Sequence, residues 1–236
     1  NGPLIYYSVA KEYILNDKIP ISHLVFLFFE GNDLANLNEE LSSQILKNYL
    51  SDDSFTQNLK KKADLIEKIN RDVFNQFIEK KKYYLDESKK QSKISKIEEN
   101  FLIVNKKNFY FNFLNFIKLS NVRENFVEIF FPPDPPNWQH FVKIINKTND
   151  YALKNNFELI FVYLPSWEYF TYNGDYHYKK VKNYIKNKKI KLVDIREVFD
   201  NYKDPLNFFP DRVNYHYTPE GYKIISDEII NILSIK

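Results

Sequence analysis

The chain has 236 residues, 44% hydrophobic and 17% aromatic, with a net charge of +3. That length holds one large domain or a domain with a sizeable insertion, and the near-neutral balance calls for no nucleic-acid partner, which would need a concentrated basic face. The absence of cysteine excludes disulfides, zinc–thiolate centres and a cysteine nucleophile, and no apolar run approaches the ~18 residues that span a membrane.

The abundance of Lys, Asn, Ile and aromatic residues suggests an AT-rich coding sequence, which dilutes arguments from composition. The chain has no methionine and no visible signal peptide at Asn1, and its first residues lead straight into a helical pattern. The expectation is a piece of a longer or processed protein.

Pro3 to Leu15 reads as a helix with proline at its first position, Leu4, Tyr7, Ala10 and Ile14 recurring at helical spacing. Leu24 to Phe29 is apolar on both faces, as in a parallel strand covered by helices, and it ends abruptly in Glu30-Gly31-Asn32-Asp33. Residues 35–136 interrupt the rhythm. Leu41, Ile45 and Tyr49 suggest a short helix. Leu59, Ala63, Ile66, Ile69, Val73 and Phe77 predict a long amphipathic one over about residues 57 to 85. Lys89 to Lys107 is polar and lysine-rich and reads as a loop, either solvated or touching anionic polymer or headgroups. Phe109 to Val122 suits a further helix, and the PPDPP run at 132–136 is a stiff connector.

Alternation then resumes. Helices are predicted over Trp138–Asn155, Tyr176–Lys188 and Thr218–Ile232, the last with Thr218 as N-cap and Pro219 at its first position. Strands are predicted over Phe157–Pro165 and Ile190–Ile195. Helix and strand in turn signify a layered α/β fold around a parallel sheet.

In such a sheet, function collects at the carboxyl ends of the strands. Three ends are legible: Gly31, Asn32 and Asp33 after the first, Pro165, Ser166 and Trp167 after the second, and a loop containing Asp211 and His216 beyond the third. His216 reads either as a general base near neutral pH, oriented by Asp211, or as a loop histidine bonded to its own turn. Asn32 reads either as a donor to an oxyanion or as a turn residue paired with Gly31. Asp33 is most simply a cap. His23, His140 and His177 are not spaced as metal ligands, and no metal or other cofactor is expected. Glycine is scarce, at four residues against a usual ~7%, so each one is expected to answer a backbone need.

The EGNDL segment at the end of one strand and HYTPEGYKIISDEI near the C-terminus resemble the third and fifth blocks of SGNH (GDSL-type) hydrolases. NGPL at the start is similar to the residues around that family's second-block glycine. The resemblance covers residues 1–34 and 137–236 as core. It implies a three-layer, flavodoxin-like parallel sheet, incomplete at its N-terminal side, with residues 35–136 as a helical insertion acting as lid or packing module.

It further implies a serine esterase or acyl hydrolase, with Asn32 as oxyanion donor and His216 as base; Asp211 would serve as its acid through a longer loop, or else the base works as a Ser–His dyad or the site is degraded. Gly31, Gly2 and Ser166 would line the oxyanion site or pocket. The substrate would be an ester, including O-acylated glycans, in a setting facing the cell envelope or periplasm. Any membrane contact would come through an N-terminal anchor preceding this chain. The sequence departs from the family in two places. No Gly-Asp-Ser occurs, so the nucleophile is expected upstream of residue 1 and this chain alone is expected to be inactive. The position three before the histidine, normally Asp, is Val213. In the family's strand order this chain would supply the last three strands. Leu24–Phe29 would then be an open edge whose partner is the upstream polypeptide. The competing reading is a non-catalytic binding or interaction module on a degenerate version of the same fold.

Overall fold

A computed structural model describes residues 2–15, 19–91, 135–172 and 177–234. The predicted helix at Phe109–Val122, most of the Lys89–Lys107 segment and the first three residues of PPDPP lie outside the described residues.

Three strands, β1 (His23–Phe29), β2 (Glu158–Leu164) and β3 (Lys191–Asp194), form a parallel sheet in the order β1-β2-β3. The β1–β2 register pairs His23 with Glu158 through to Phe29 with Leu164, and β2–β3 pairs Ile160 with Lys191 through to Tyr163 with Asp194. Central β2 is apolar on both faces because both are covered. Leu159, Phe161 and Tyr163 enter a core with α1 (Pro3–Ala10) and its π-helical continuation Lys11–Leu15, α2 (Asp33–Glu40), α3 (Gln44–Ser51), α5 (Trp138–Lys154) and α7 (Tyr178–Asn187). Ile160 and Val162 enter a second core with α8 (Ile195–Asp200), the 3-10 turn Pro205–Phe208 and α9 (Pro219–Ser234). The result is the expected α/β arrangement of a parallel sheet between helical layers.

Several local expectations hold. Proline opens α1, and Thr218 caps α9 by accepting from the Gly221 N–H at 3.2 Å. Leu24–Phe29 lies at the sheet edge, as expected. Three short helices do not show in the sequence pattern: α2, α8 and α6 (Trp167–Tyr172). Six to eight residues are too few for a 3.6-residue period to declare itself.

Residues 1–57 and 134–236 form one compact unit, and 58–133 a second. Residues 35–57, grouped above with the insertion, therefore belong with the sheet. Leu37, Tyr49 and Leu50 of α2 and α3 are buried in the sheet's own core, and a buried carboxylate ties down the chain that follows. Glu12 accepts from the Tyr49 hydroxyl, from Thr56 Oγ1 at 2.9 Å and from the Gln57 N–H at 2.6 Å, which pins the chain after α3 to the first helix. In the second unit, α4 (Ala63–Gln91) is the long predicted helix, and its apolar residues Ile69, Val73 and Phe77 are exposed.

On its outer side β1 has no strand partner among the described residues. A groove of about 390 Å³ runs beside it, lined by Tyr6, Val9 and Ile14 of the first helix and by Leu24 and Leu27 of the strand. Leu27 is 45% exposed. Unpaired backbone groups beside apolar side chains make such an edge a template for association. Leu27→Lys should therefore reduce concentration-dependent light scattering of the 236-residue chain while leaving its far-ultraviolet circular dichroism unchanged. Equal scattering by parent and variant would show that chains do not associate through this edge.

Candidate functional site at the carboxyl ends of the strands

The turn after β1 is closed by the residue next to Asn32. Glu30 N–H continues the sheet ladder to Leu164 O at 3.1 Å. Phe29 N–H instead meets Asp33 Oδ2 at 2.9 Å. Asp33 is 1% exposed, and this burial pushes its carboxyl up to about 7, against the opposing pull of the Phe29 N–H. Its role is thus a cap, on the strand end. Asn32 is the N-cap residue of α2, but its side chain caps nothing. Its carbonyl accepts from Asn36 N–H, and its exposed carboxamide makes no hydrogen bond among the described residues.

Gly31 has its backbone need. A Cβ there would lie 2.5 Å from Cε1 of Phe29, whose ring folds back over the turn. That ring stands edge-on to Tyr215 at 6.4 Å and to Tyr217 at 6.5 Å. The Tyr217 hydroxyl donates to Pro165 O. The loop bearing His216 is therefore held against the ends of both β1 and β2 by the residues on either side of it. His216 itself is exposed. Its N–H donates to Asn214 Oδ1 at 3.0 Å, and its imidazole has no hydrogen bond or ion pair among the described residues.

Asp211 does not orient His216. Both side chains are exposed and no hydrogen bond joins them. Asp211 and Arg212 are left-handed, at φ 53° and 64°, a conformation costing of order 1–3 kcal/mol for a non-glycine residue. Arg212 holds that turn with a two-pronged grip on Asp204, at 2.9 and 2.8 Å, and a bond to Asn207 at 2.8 Å. Val213 is exposed.

Ser166 is buried. Its N–H donates to Glu30 Oε1 at 2.7 Å, and its hydroxyl accepts from Glu168 N–H at 3.3 Å and donates to Glu168 Oε2 at 3.2 Å, closing the first turn of α6. Gly2 lies against the first turns of α2, where a Cβ would meet Asp33 O, Asn36 Cβ and Glu40 Oε1, each at 3.0 Å. Its N–H donates to Glu40, which also accepts from Leu4 N–H at 2.9 Å and so caps α1. Burial raises the Glu40 carboxyl, and those N–H groups pull it back.

The sequence reading missed the polar centre of this sheet end. Glu30 accepts from the Tyr163 hydroxyl at 2.6 Å and from Ser166 N–H, and it faces the Arg196 guanidinium at 3.6 Å. Arg196 is buried between two rings, 3.3 Å from the Tyr169 centroid and 4.0 Å from that of Tyr178. Tyr178 donates to Asp194 Oδ2 at 2.7 Å, and Asp194 also pairs with Lys182 at 2.8 Å. Burial first, and the Glu30 charge second, hold the Tyr163 hydroxyl well above its ordinary range. The signal in the sequence was an acid directly after the apolar run of β1 and a base two residues after the end of β3. Among the described residues no group of three or more acidic or histidine side chains is placed to hold a metal, and His23 pairs with Ser22 and Glu158 instead.

Two predictions follow from burial. Arg196→Ala leaves the largely buried Glu30 carboxylate without its facing cation, so it should destabilise the chain by up to about 3–5 kcal/mol, read as a fall in the denaturant midpoint. Asp33 binds its proton more tightly in the folded chain than in the unfolded one. Its stabilising contribution is therefore complete below pH 3.8 and is lost as pH rises to about 7, with an upper bound of about 4 kcal/mol at ~1.4 kcal/mol per pH unit. Asp33→Asn should flatten the decline in melting temperature between pH 4 and pH 7. An unchanged slope would assign that decline to other groups.

No protein-family model, curated protein or solved structure matches the chain, so what this site does is argued from its residues alone.

Proposed function

We propose that this chain is the C-terminal part of an SGNH-like serine esterase or acyl hydrolase whose nucleophilic serine is supplied by preceding residues of the same protein. The observation that carries the reading is the seating of Tyr215 and Tyr217 on Phe29 and Pro165, which holds the His216 loop at the same sheet end as Asn32. Both residues offer unengaged polar side chains there. On this reading the sheet is the incomplete remainder of a flavodoxin-like one, and the open edge of β1 takes a strand from the preceding polypeptide.

The chemistry would be acyl transfer. The serine hydroxyl attacks the ester carbonyl and passes its proton to His216, while the Asn32 carboxamide donates to the oxyanion. Collapse expels the alcohol, which takes that proton, and water then releases the acid by the same steps. With no hydrogen bond from Asp211, the base acts without an acid partner among the described residues. O-acylated glycans are the proposed substrates.

A second reading, a non-catalytic binding module on the same fold, is favoured by two details. His216 has no orienting carboxylate among the described residues, and the Gly2 N–H is already taken by Glu40 rather than free to join an oxyanion hole.

Fluorophosphonate labelling of the protein with its preceding residues separates the two. The esterase reading expects labelling that His216→Ala abolishes. It also expects Asn32→Ala to lower kcat by ~10²–10³ with KM little changed, as for loss of one oxyanion donor. An unlabelled protein, or turnover indifferent to Asn32→Ala, supports the module.

A further inference from the structure

Aromatic side chains gather beside the candidate site, on α6 and on the His216 loop. Trp167 stands 6.0 Å from Tyr172 and 6.5 Å from Tyr215, at interplanar angles of 62° and 66°. Tyr172 is 73% exposed and Tyr215 49% exposed. Core packing does not account for them, because neither belongs to either buried cluster. The Trp167 indole N–H is buried and has no hydrogen-bond partner among the described residues. The Tyr215 hydroxyl donates to Glu168 Oε1 at 3.0 Å.

We propose that Trp167, Tyr172 and Tyr215 form a subsite for a neutral sugar ring of an oligosaccharide, next to Asn32 and His216. The inference rests on the acyl-hydrolase reading for its role, since it would hold the carbohydrate body of the substrate while the ester meets the polar groups. A pyranose has an apolar C–H face and a hydroxyl rim. Aromatic rings suit the face. The Asn32 carboxamide, the His216 imidazole and the Glu168 carboxylate, set on the neighbouring turns, suit the rim. A lipid chain would call for a continuous apolar groove. These rings are instead tilted against one another, and two of the three carry hydroxyls. An anionic ligand would call for an available cation, whereas these turns carry a carboxylate, an amide and an imidazole, and the guanidinium of Arg212 is engaged by Asp204.

The chain has two tryptophans, so Trp138→Phe leaves Trp167 as sole reporter. That variant is titrated with the tetrasaccharides of glucose (β1,4- and α1,4-linked) and of N-acetylglucosamine. Isothermal titration of the parent chain supplies a measurement independent of the substitution. The expected result is saturable binding of at least one tetrasaccharide, weakened tenfold or more by Tyr172→Ala and by Tyr215→Ala, and within twofold of the parent in Tyr215→Phe, which keeps the ring. No saturable binding of any of the three, or binding indifferent to both alanine variants, overturns the proposal. Its failure is distinct from that of the hydrolase reading. Sugar binding by a protein that fluorophosphonate does not label leaves the subsite standing and removes the esterase. Labelling with turnover of a simple ester but without sugar binding does the reverse.

Discussion

The sheet end is organised by one carboxylate. Glu30 follows β1 directly, and its two oxygens reach the other two strands, through the Tyr163 hydroxyl and Ser166 N–H beyond β2 and the Arg196 guanidinium beyond β3. Three parallel strands joined by two crossovers end at this edge, and nothing in the backbone ladder fixes how their following turns lie. A buried charge does. Leaving water costs each ion several kcal/mol, so it persists where enough donors face it. Here the donors come from different turns and must come together for any one of them to be satisfied. The Arg196 partner meets the same demand by lying between the faces of Tyr169 and Tyr178, where ring quadrupoles take over part of the role of water.

A second carboxylate performs a different task a few residues on. Glu30 is matched by a cation and by donors, whereas Asp33 meets one N–H and a largely apolar surround, and its ionisation is pushed towards neutrality. The two act on opposite sides of one strand end. The Glu30 N–H turns towards β2 and the Phe29 N–H meets Asp33, so β1 finishes with both groups satisfied although its outer flank carries no further strand among the described residues. Asn32 sits between these anchors. Its carboxamide projects from a turn that is held by its neighbours and not by itself.

Much of the fold was legible because burial leaves a periodic trace. The unbroken apolar runs of β1 and β2 announce strands covered on both faces, and the spacing in Trp138–Asn155 announces a helix with one buried side. Composition also marked the strand ends, through glycine at 31 and a polar residue at 166. What was not legible is interaction across long separations. Glu30 and Arg196 are 166 positions apart and look, singly, like ordinary surface charges. Glu12 looks the same, yet it ties down the chain that follows α3. The expected Asp211–His216 pair failed for the converse reason. Five residues of separation suggest proximity, but two left-handed residues, locked by Arg212 on Asp204, turn the carboxylate out.

The glycine at 31 shows how far a local feature reaches. Its missing side chain leaves room for the Phe29 ring to fold back over the turn. Folded back, that ring presents its surface to Tyr215 and Tyr217 at once. Those two residues flank His216, and Tyr217 is tied in turn to Pro165 beyond β2. A turn that looked like a matter of backbone freedom is thus a matter of side-chain room. The space above Gly31 is the seat of the ring that docks the histidine loop. Substituting Gly31 would act on the position of His216 through an aromatic contact, without touching either Asn32 or the histidine. The abrupt change from apolar strand to small polar residues is therefore one structural device, in which the last strand residue, the glycine and the distant loop are fitted together.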